Sequence, residues 1–157
     1  MRIGILADTH DKILPDLFSA LAGVDEILHA GDICKVGALA EIETIAPVLA
    51  VHGNCDGRKL AERLPAERRV ERGGVRILLL HGHQTGNASV DRIAKLVAAR
   101  PADLVVFGHS HEACDVERGG IRYFNPGTAG GVRYPPTVGI LTIANESFTL
   151  EHAPLRR

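Results

Sequence analysis

Residues 2–10 read RIGILADTH, in which a nearly continuous aliphatic run leads directly into an aspartate and a histidine. The run from Arg2 to Ala7 is typical of a buried strand, and Asp8 and His10 follow where that strand must end. Behind them, apolar side chains recur at helical spacing and predict a helix. These side chains are Leu14, Leu17, Phe18 and Leu21. The predicted order is strand, polar loop, helix.

An apolar run followed by side chains that can bind metal recurs four more times along the chain. The runs are residues 26–30, 47–52, 75–80 and 104–107. They lead, in turn, into Gly31-Asp32, Gly53-Asn54-Cys55-Asp56, His81-Gly82-His83 and Gly108-His109-Ser110-His111. The carboxyl ends of strands in a mainly parallel sheet lie along one edge, so these side chains can converge although they are far apart in sequence. The glycines allow sharp turns and close approach of a ligand to the backbone.

The donors predicted to converge are oxygens and nitrogens. They are Asp8, His10, Asp32, Asn54, His81, His109 and His111. Such a set is too large for one tetrahedral zinc ion, but it suits two divalent cations with a carboxylate between them. Without thiolates it is compatible with Mn²⁺, Fe²⁺, Zn²⁺, Co²⁺ or Ni²⁺. We favour manganese, although the residue types alone do not choose among these ions.

Length and charge exclude several classes of protein. The chain has 157 residues, a size that predicts one domain over residues 1–157. Its 18 lysines and arginines nearly balance 19 aspartates and glutamates, for a formal charge of −1. This balance disfavours a nucleic-acid binder that works through a basic face. A hydrophobic fraction of 45% excludes intrinsic disorder.

The sequence also bears on location. No apolar run reaches the roughly 18 residues that a membrane span needs, and the first residues enter a strand pattern without signal-peptide character. The three cysteines are widely spaced and form no CxxC pair, so neither a disulfide framework nor a zinc–cysteine site is predicted. We expect a cytoplasmic protein without membrane association, and the sequence leaves its oligomeric state open.

The second half of the chain carries hairpin signals. Gly73-Gly74, Gly119-Gly120 and Asn145-Glu146 each separate two strand-like runs and predict a turn. Residues 154–157 are expected to form a frayed tail, with His152 solvated beside it. Parallel units followed by hairpins predict an α/β protein with either one mixed sheet or two packed sheets, and helices outside.

Taken in order, the motifs at the strand ends resemble those of the calcineurin-like metallophosphoesterases. Asp8-Thr9-His10, Gly31-Asp32, Gly53-Asn54-Cys55-Asp56, His81-Gly82 and Gly108-His109-Ser110-His111 match the DxH, GD, GNxD, HG and GHxH motifs of that family. The stretch Asn125-Pro126-Gly127-Thr128 is similar to an NPGS element of the short YfcE-like phosphodiesterase subgroup. Each motif alone is common, but five in a fixed order at strand ends are specific.

The resemblance implies a four-layer αββα sandwich, in which two mixed sheets pack face to face with helices on both outer faces. It places one ion on Asp8, His10, Asp32 and His111, and another on Asp32, Asn54, His81 and His109, so that Asp32 bridges them. The implied activity is that of a dinuclear metal-dependent phosphodiesterase, in which a metal-bridging hydroxide attacks the phosphorus of a small phosphodiester substrate.

One position departs from the commonest family pattern. Many members have a histidine after the asparagine of GNxD that protonates the leaving group, whereas this chain has Cys55, as the YfcE-like subgroup does. A thiol with a pKa near 8.5 is a poorer proton donor, so alkyl leaving groups should react slowly. His83 is a candidate replacement donor. Asn125 and Arg133 are candidate substrate-binding residues, Arg133 as a phosphate clamp.

Two other functions stay open. One branch of this fold serves as a subunit of the retromer sorting complex without efficient catalysis, but that branch has substitutions at ligand positions that are intact here. The other is a phosphomonoesterase, because the sequence has no insert or specificity segment that would distinguish monoesterase from diesterase activity. Beside the ligands, His29 and His52 are expected to be buried hydrogen-bonded supports, and Asp56 a loop cap or an outer hydrogen-bond partner.

Overall fold

The computed structural model describes all 157 residues, which form ten strands, four α-helices and a 3₁₀ turn at His83–Thr85. In chain order the strands are β1 (Arg2–Leu6), β2 (Glu26–His29), β3 (Val48–Ala50), β4 (Glu67–Arg72), β5 (Val75–Leu80), β6 (Leu104–Val106), β7 (Cys114–Arg118), β8 (Ile121–Asn125), β9 (Thr137–Ala144) and β10 (Ser147–Pro154). The helices are α1 (Asp16–Ala20), α2 (Val36–Ile42), α3 (Arg58–Ala61) and α4 (Val90–Val97).

The strands form two sheets of five, and both sheets are mixed. The first has the order β10-β9-β1-β2-β3, with β1, β2 and β3 parallel and β9 and β10 antiparallel to their neighbours. The second has the order β4-β5-β6-β8-β7, with β5, β6 and β8 parallel between antiparallel edge strands. The three predicted hairpins are confirmed as β4–β5, β7–β8 and β9–β10.

The sheets pack face to face, with helices on their outer faces. Strand β5 shows why its last four residues are all apolar: Ile77 and Leu79 lie in the core between the sheets, whereas Leu78 and Leu80 pack outward with α4. On the other side, α1 and α2 cover the first sheet in a separate apolar cluster. These four layers confirm the αββα sandwich and select two packed sheets over a single one.

Two local predictions are wrong. Helix α1 spans only Asp16–Ala20, and Phe18 points to solvent with 39% of its surface exposed, because Leu17 and Leu21 suffice for the inward face. The last residues do not fray, since Leu155 is buried and its N–H donates to the Pro136 carbonyl. Arg156 is held by an ion pair with Asp16. The carboxyl terminus is therefore fastened to the first sheet and α1.

The end of β10 is also more ordered than its composition suggests. His152, expected to be solvated, stacks on Phe124 with ring centroids 4.5 Å apart, and its Nε2–H donates to the Asn125 carbonyl at 2.8 Å. It therefore joins the first sheet to the second. None of the helices has the length and apolar character that crossing a membrane requires.

Candidate metal centre

The predicted donors come together where parallel strands of both sheets end. Strands β1, β2 and β3 lead into Asp8, His10, Asp32 and Asn54, and β5 and β6 lead into His81, His109 and His111. Backbone bonds tie these loops together: the Asp8 N–H donates to the Gly31 carbonyl at 3.0 Å, and the Gly108 N–H to the His81 carbonyl at 3.1 Å. The His109 N–H donates to the Asp8 carboxylate across the sheets at 2.9 Å.

Most of these residues have a backbone conformation that L-residues seldom adopt. Five of the seven have positive φ: Asp8 at 52°, His10 at 48°, Asp32 at 58°, His109 at 69° and His111 at 62°. Such conformations cost free energy, and they cluster where a site requires a particular direction of the side chain. Here they turn the side chains out of the strand ends and toward one another.

One part of the centre is built from Asp8, His10 and His111. The His111 Nε2 lies 3.3 Å from the Asp8 Oδ1 and 3.1 Å from the His10 Nε2. The His111 Nδ1–H donates to the Val132 carbonyl at 3.0 Å, which leaves a lone pair on Nε2 in the neutral ring. The His111 Nε2 and the Asp8 Oδ1 are then both hydrogen-bond acceptors. Such a pair needs a proton or a cation between the two atoms.

A second part surrounds Asp32. The His81 Nε2 lies 3.4 Å from the Asp32 Oδ1 and 3.2 Å from the Asn54 Oδ1, while its Nδ1–H donates to the Ala30 carbonyl at 2.7 Å. His109 joins this group with its Nε2–H donating to the Gly86 carbonyl, which leaves Nδ1 free. His10 is also near, with its Nε2 3.8 Å from the Asp32 Oδ2. Asp32 thus lies between the two parts.

The charges of the centre fit divalent cations. The Asp8 Oδ1 is buried without a hydrogen-bond partner, which is costly for a carboxylate unless positive charge faces it. Burial opposes ionisation of Asp32, but interaction with the His81 ring and a hydrogen bond from the Cys55 N–H hold its pKa well below the usual range. Two carboxylates and inward-facing imidazole lone pairs form a donor set that suits such ions.

Asp56 holds the polar loops in place, as an outer hydrogen-bond partner. Its carboxylate accepts hydrogen bonds from the N–H groups of Gly53 at 2.6 Å, Cys34 at 2.6 Å and Asp32 at 3.1 Å. It therefore fixes the loop after β2 to the loop after β3, and both loops carry predicted ligands.

The two supporting histidines differ. His29 is fully buried, receives the Gly31 N–H at 3.1 Å and donates to the Thr9 Oγ1 at 2.6 Å, as expected of a support. The same expectation is wrong for His52, which is half-buried, lies beyond β3 and has only a 3.4 Å contact with the Gly53 carbonyl. Thr128 is a support that we did not predict, and its hydroxyl donates to the Asp8 carbonyl at 2.9 Å.

The candidate substrate residues occupy different places. A cavity of about 300 Å³ opens over the centre, and Arg133 lies on its wall beside His109 and His111. Asn125 is fully buried below the centre, where its amide donates to the Gly108 carbonyl and the Ser110 Oγ and its Oδ1 accepts the Gly127 N–H. This placement makes Asn125 a positioning residue for the loop that carries His109 and His111.

His83 and Cys55 flank the centre on different sides. The ring of His83 lies 5.4 Å from that of His81, its Nδ1 is buried without a hydrogen-bond partner, and burial lowers its pKa. It is absent from the wall of the cavity above the ligands. Cys55 lies on that wall, and burial together with the Asp32 carboxylate raises the pKa of its thiol to about 11. His83 is therefore not in position to donate a proton to the leaving group, and the Cys55 thiol is too weak an acid to do so efficiently.

The sequence of the chain is similar to those of known proteins. Residues 1–146 match the family model of the calcineurin-like phosphoesterase superfamily domain. A probable metallophosphoesterase of Methanothermobacter thermautotrophicus is 33% identical over 157 residues, covering 96% of this chain and 91% of that protein. A phosphodiesterase of Methanocaldococcus jannaschii is 31% identical over 166 residues, covering 94% of this chain and 96% of its own.

A solved structure shares the whole fold. The crystal structure of Vps29 from Chaetomium thermophilum superposes with a TM-score of 0.88 at 23% identity, over 99% of this chain and 89% of that one. This similarity concerns the fold, whereas the family model and the two archaeal relatives concern the sequence. Together they show that the chain belongs to the calcineurin-like phosphoesterase superfamily, a family of metal-dependent hydrolases.

Proposed function

We propose that the protein is a dinuclear metal-dependent phosphodiesterase. The observation that carries the proposal is the placement of Asp32, a buried carboxylate with donors on both sides. One cation would be held by Asp8, His10, Asp32 and His111, and the other by Asp32, Asn54, His81 and His109, with manganese as the favoured ion. When bound, two such ions supply positive charge for the phosphoryl oxygens and lower the pKa of water for attack on phosphorus.

The residues of the chain would divide the remaining work. Asp32 stays ionised between the two sets of donors, because its pKa is depressed. Arg133 on the cavity wall offers a guanidinium to a phosphoryl oxygen. The carbonyls of Ala30, Val132 and Gly86 fix the tautomers of the histidines, so the ligand nitrogens need no rearrangement when the site is loaded.

The space around the centre supports a diester as the substrate. The cavity above the ligands shares His109 and Arg133 with a neighbouring cleft of about 590 Å³, lined also by Ser89, Ser110 and Glu112. A phosphate over the centre would therefore have room for a substituent on the side of that cleft as well as toward solvent. The similarity to a relative named a phosphodiesterase points the same way.

The test is hydrolysis by protein that has been stripped with a chelator and reloaded with one divalent metal at a time. Bis(p-nitrophenyl) phosphate should be cleaved with a higher kcat/KM than p-nitrophenyl phosphate, and activity should vanish again on chelation. A preference for the monoester would replace the proposal with a phosphomonoesterase. Failure to bind any metal and to cleave any ester would favour a protein-binding scaffold of the same fold.

A further inference from the structure

A solvent-exposed thiol borders the proposed metal centre. The Cys55 Sγ, a His10 ring nitrogen and an Asp32 carboxylate oxygen all lie within 4.8 Å of one another, the same spacing that relates the other predicted ligands. Zinc–sulfur bonds are about 2.3 Å and zinc–nitrogen bonds about 2.0–2.1 Å, so one ion can span such a group. The sequence alone predicted a ligand set without sulfur, because nothing in it shows that the side chain after Asn54 lies close to His10 and Asp32.

The local structure holds the thiol in this position. The Cys55 N–H donates to the Asp32 Oδ1 at 2.8 Å, and the Asn54 amide lies 3.5 Å from the Cys55 Sγ and can donate to it. The thiol also borders the cavity above the ligands together with His10. In the same centre the Asp8 Oδ1 is buried without a hydrogen-bond partner, so a positive charge is required beside it as well.

We propose that Cys55 is an additional ligand of the ion held by His10 and Asp32, and that it biases this position toward metals that accept sulfur, such as zinc, cobalt and cadmium. The inference rests on the proposed metal centre. On binding, the thiol proton leaves to solvent and a metal–sulfur bond forms. The other ion, held by Asn54, His81 and His109 with Asp32, keeps nitrogen and oxygen ligands. The two positions therefore differ in metal preference.

Cobalt provides a direct readout that does not depend on catalysis. Chelator-treated protein is loaded with two equivalents of Co²⁺, and its absorption spectrum is recorded. A cobalt–thiolate bond gives a charge-transfer band in the near ultraviolet, separate from the weak visible bands of cobalt with nitrogen and oxygen ligands. Wild-type protein should show this band, and Cys55→Ser should lose it while keeping the visible bands.

The other two cysteines provide matched controls. The Cys34 Sγ lies 3.6 Å from the His10 Nδ1, and Cys114 lies in β7. Cys34→Ser and Cys114→Ser should both retain the charge-transfer band. Its absence from wild type, or its loss in Cys34→Ser instead of Cys55→Ser, would overturn the assignment. Visible bands without a charge-transfer band would leave the metal centre standing and refute only the role of Cys55, whereas no cobalt bands at all would refute both.

Metal competition gives a second measurement. Changes around a ligand shell cost about 10- to 100-fold in metal affinity, so removal of a ligand should cost at least about tenfold. Cys55→Ser should therefore weaken cadmium binding by at least that factor while manganese binding changes much less. Equal losses for both ions would show that the thiol acts only through the shape of the loop, and would contradict the proposal.

Discussion

At the scale of single residues, Asp32 combines two properties that seldom occur together. It is buried to 1% exposure, yet interaction with the His81 ring and a hydrogen bond from the Cys55 N–H hold its pKa below the usual range, so it stays anionic. A buried anion requires positive charge beside it. Its position between the two sets of donors makes it the residue on which the dinuclear proposal depends.

Replacing Asp32 with asparagine should therefore remove metal and activity together. Asp32→Asn keeps the shape but not the charge, so we expect metal content below two ions per chain and a fall in kcat/KM for bis(p-nitrophenyl) phosphate of at least about a hundredfold. Metal analysis beside the assay checks this, with the exposed Asp91→Asn as the control. Two retained ions with near wild-type activity would contradict a bridging role.

Cys55 leads to a prediction about leaving groups. Its thiol, with a pKa raised to about 11, cannot supply a proton efficiently near neutral pH, whether or not it binds metal. Diesters that release nitrophenolate should react much faster than those that release an alkoxide, and Cys55→His should narrow the difference. Rates that do not depend on the leaving group, with chemistry rate-limiting, would show that another acid operates.

His29 predicts how stability depends on pH. Burial lowers its pKa to about 4, below the value of 6.5 in the unfolded chain, so the unfolded state takes up the proton first. The part of the free energy of unfolding that depends on neutral His29 is fully present above pH 6.5 and is lost as the pH falls toward 4. This loss amounts to roughly 3 kcal/mol. Denaturant unfolding of metal-free wild type should lose more stability over this interval than His29→Asn. Parallel curves for the two proteins would refute the assignment.

At the scale of elements, the loops after the strands matter more than the strands themselves. The loop after β3 passes so close to the loop after β2 that a Cβ on Gly53 would lie 2.1 Å from the Asp32 Oδ1 and 2.7 Å from the Asp32 backbone nitrogen. The Asp32 backbone cannot move away from such a contact as the end of a flexible side chain can. The glycine is therefore required by the approach of two ligand-bearing loops.

Gly53→Ala should displace Asp32 and lower both metal content and stability, the latter by about 1–3 kcal/mol, as in other overpacked sites. Gly37→Ala is the matched control, because Gly37 is exposed in α2 and a Cβ there meets nothing within 4 Å. It should leave metal binding unchanged and stabilise the helix by up to about 1 kcal/mol. Thermal melting and metal analysis of both variants test this difference. Equal stability and equal metal content in the two variants would refute the prediction.

At the scale of the whole molecule, metal binding should be coupled to folding, because the donors come from both sheets and no local segment holds an ion alone. Mn²⁺ at 100 times its Kd stabilises the native state by about 2.7 kcal/mol, which corresponds to a rise in Tm of roughly 5–10 °C for a chain of this size. Melting of chelated protein with and without Mn²⁺ measures this rise. No response to any divalent ion would contradict the metal centre.

Acid should abolish this rise in Tm. The Asp8 carboxylate beside its Nε2 raises the pKa of His111, and Asp32 raises that of His81 against the effect of burial. The metal-free native state therefore holds these protons more tightly than the unfolded chain does, and gains stability from them as the pH falls. The loaded protein must first release them. The difference in Tm should shrink from neutral pH downward, and a difference that does not depend on pH would argue against imidazole ligands.

Residues 1–157 are predicted to form one domain. The core between the sheets takes side chains from β1 near the amino end, from β5 and β6, and from β9 near the carboxyl end. Unfolding of metal-free protein should therefore be a single transition by circular dichroism and by calorimetry. Two separable transitions would contradict it.

Local pattern alone predicted the strands, the hairpins and the polar residue types that follow the strands. Apolar runs specify strands through burial, turn residues specify hairpins through positive φ, and Asp, Asn and His at strand ends led us to expect metal ligands. All of these signals lie within a few neighbouring residues, so they can be read without knowing the fold.

Which neighbours those residues meet depends on contacts between segments that are distant in sequence. The carbonyls that orient His81, His109 and His111 belong to Ala30, Gly86 and Val132, and every residue has a carbonyl, so no sequence signal marks these three. For the same reason the anchored tail, the stacked His152 and the position of the Cys55 thiol beside His10 and Asp32 were not predicted. Residue type determines what a side chain can bind, whereas packing between distant segments determines which partners come within bonding distance.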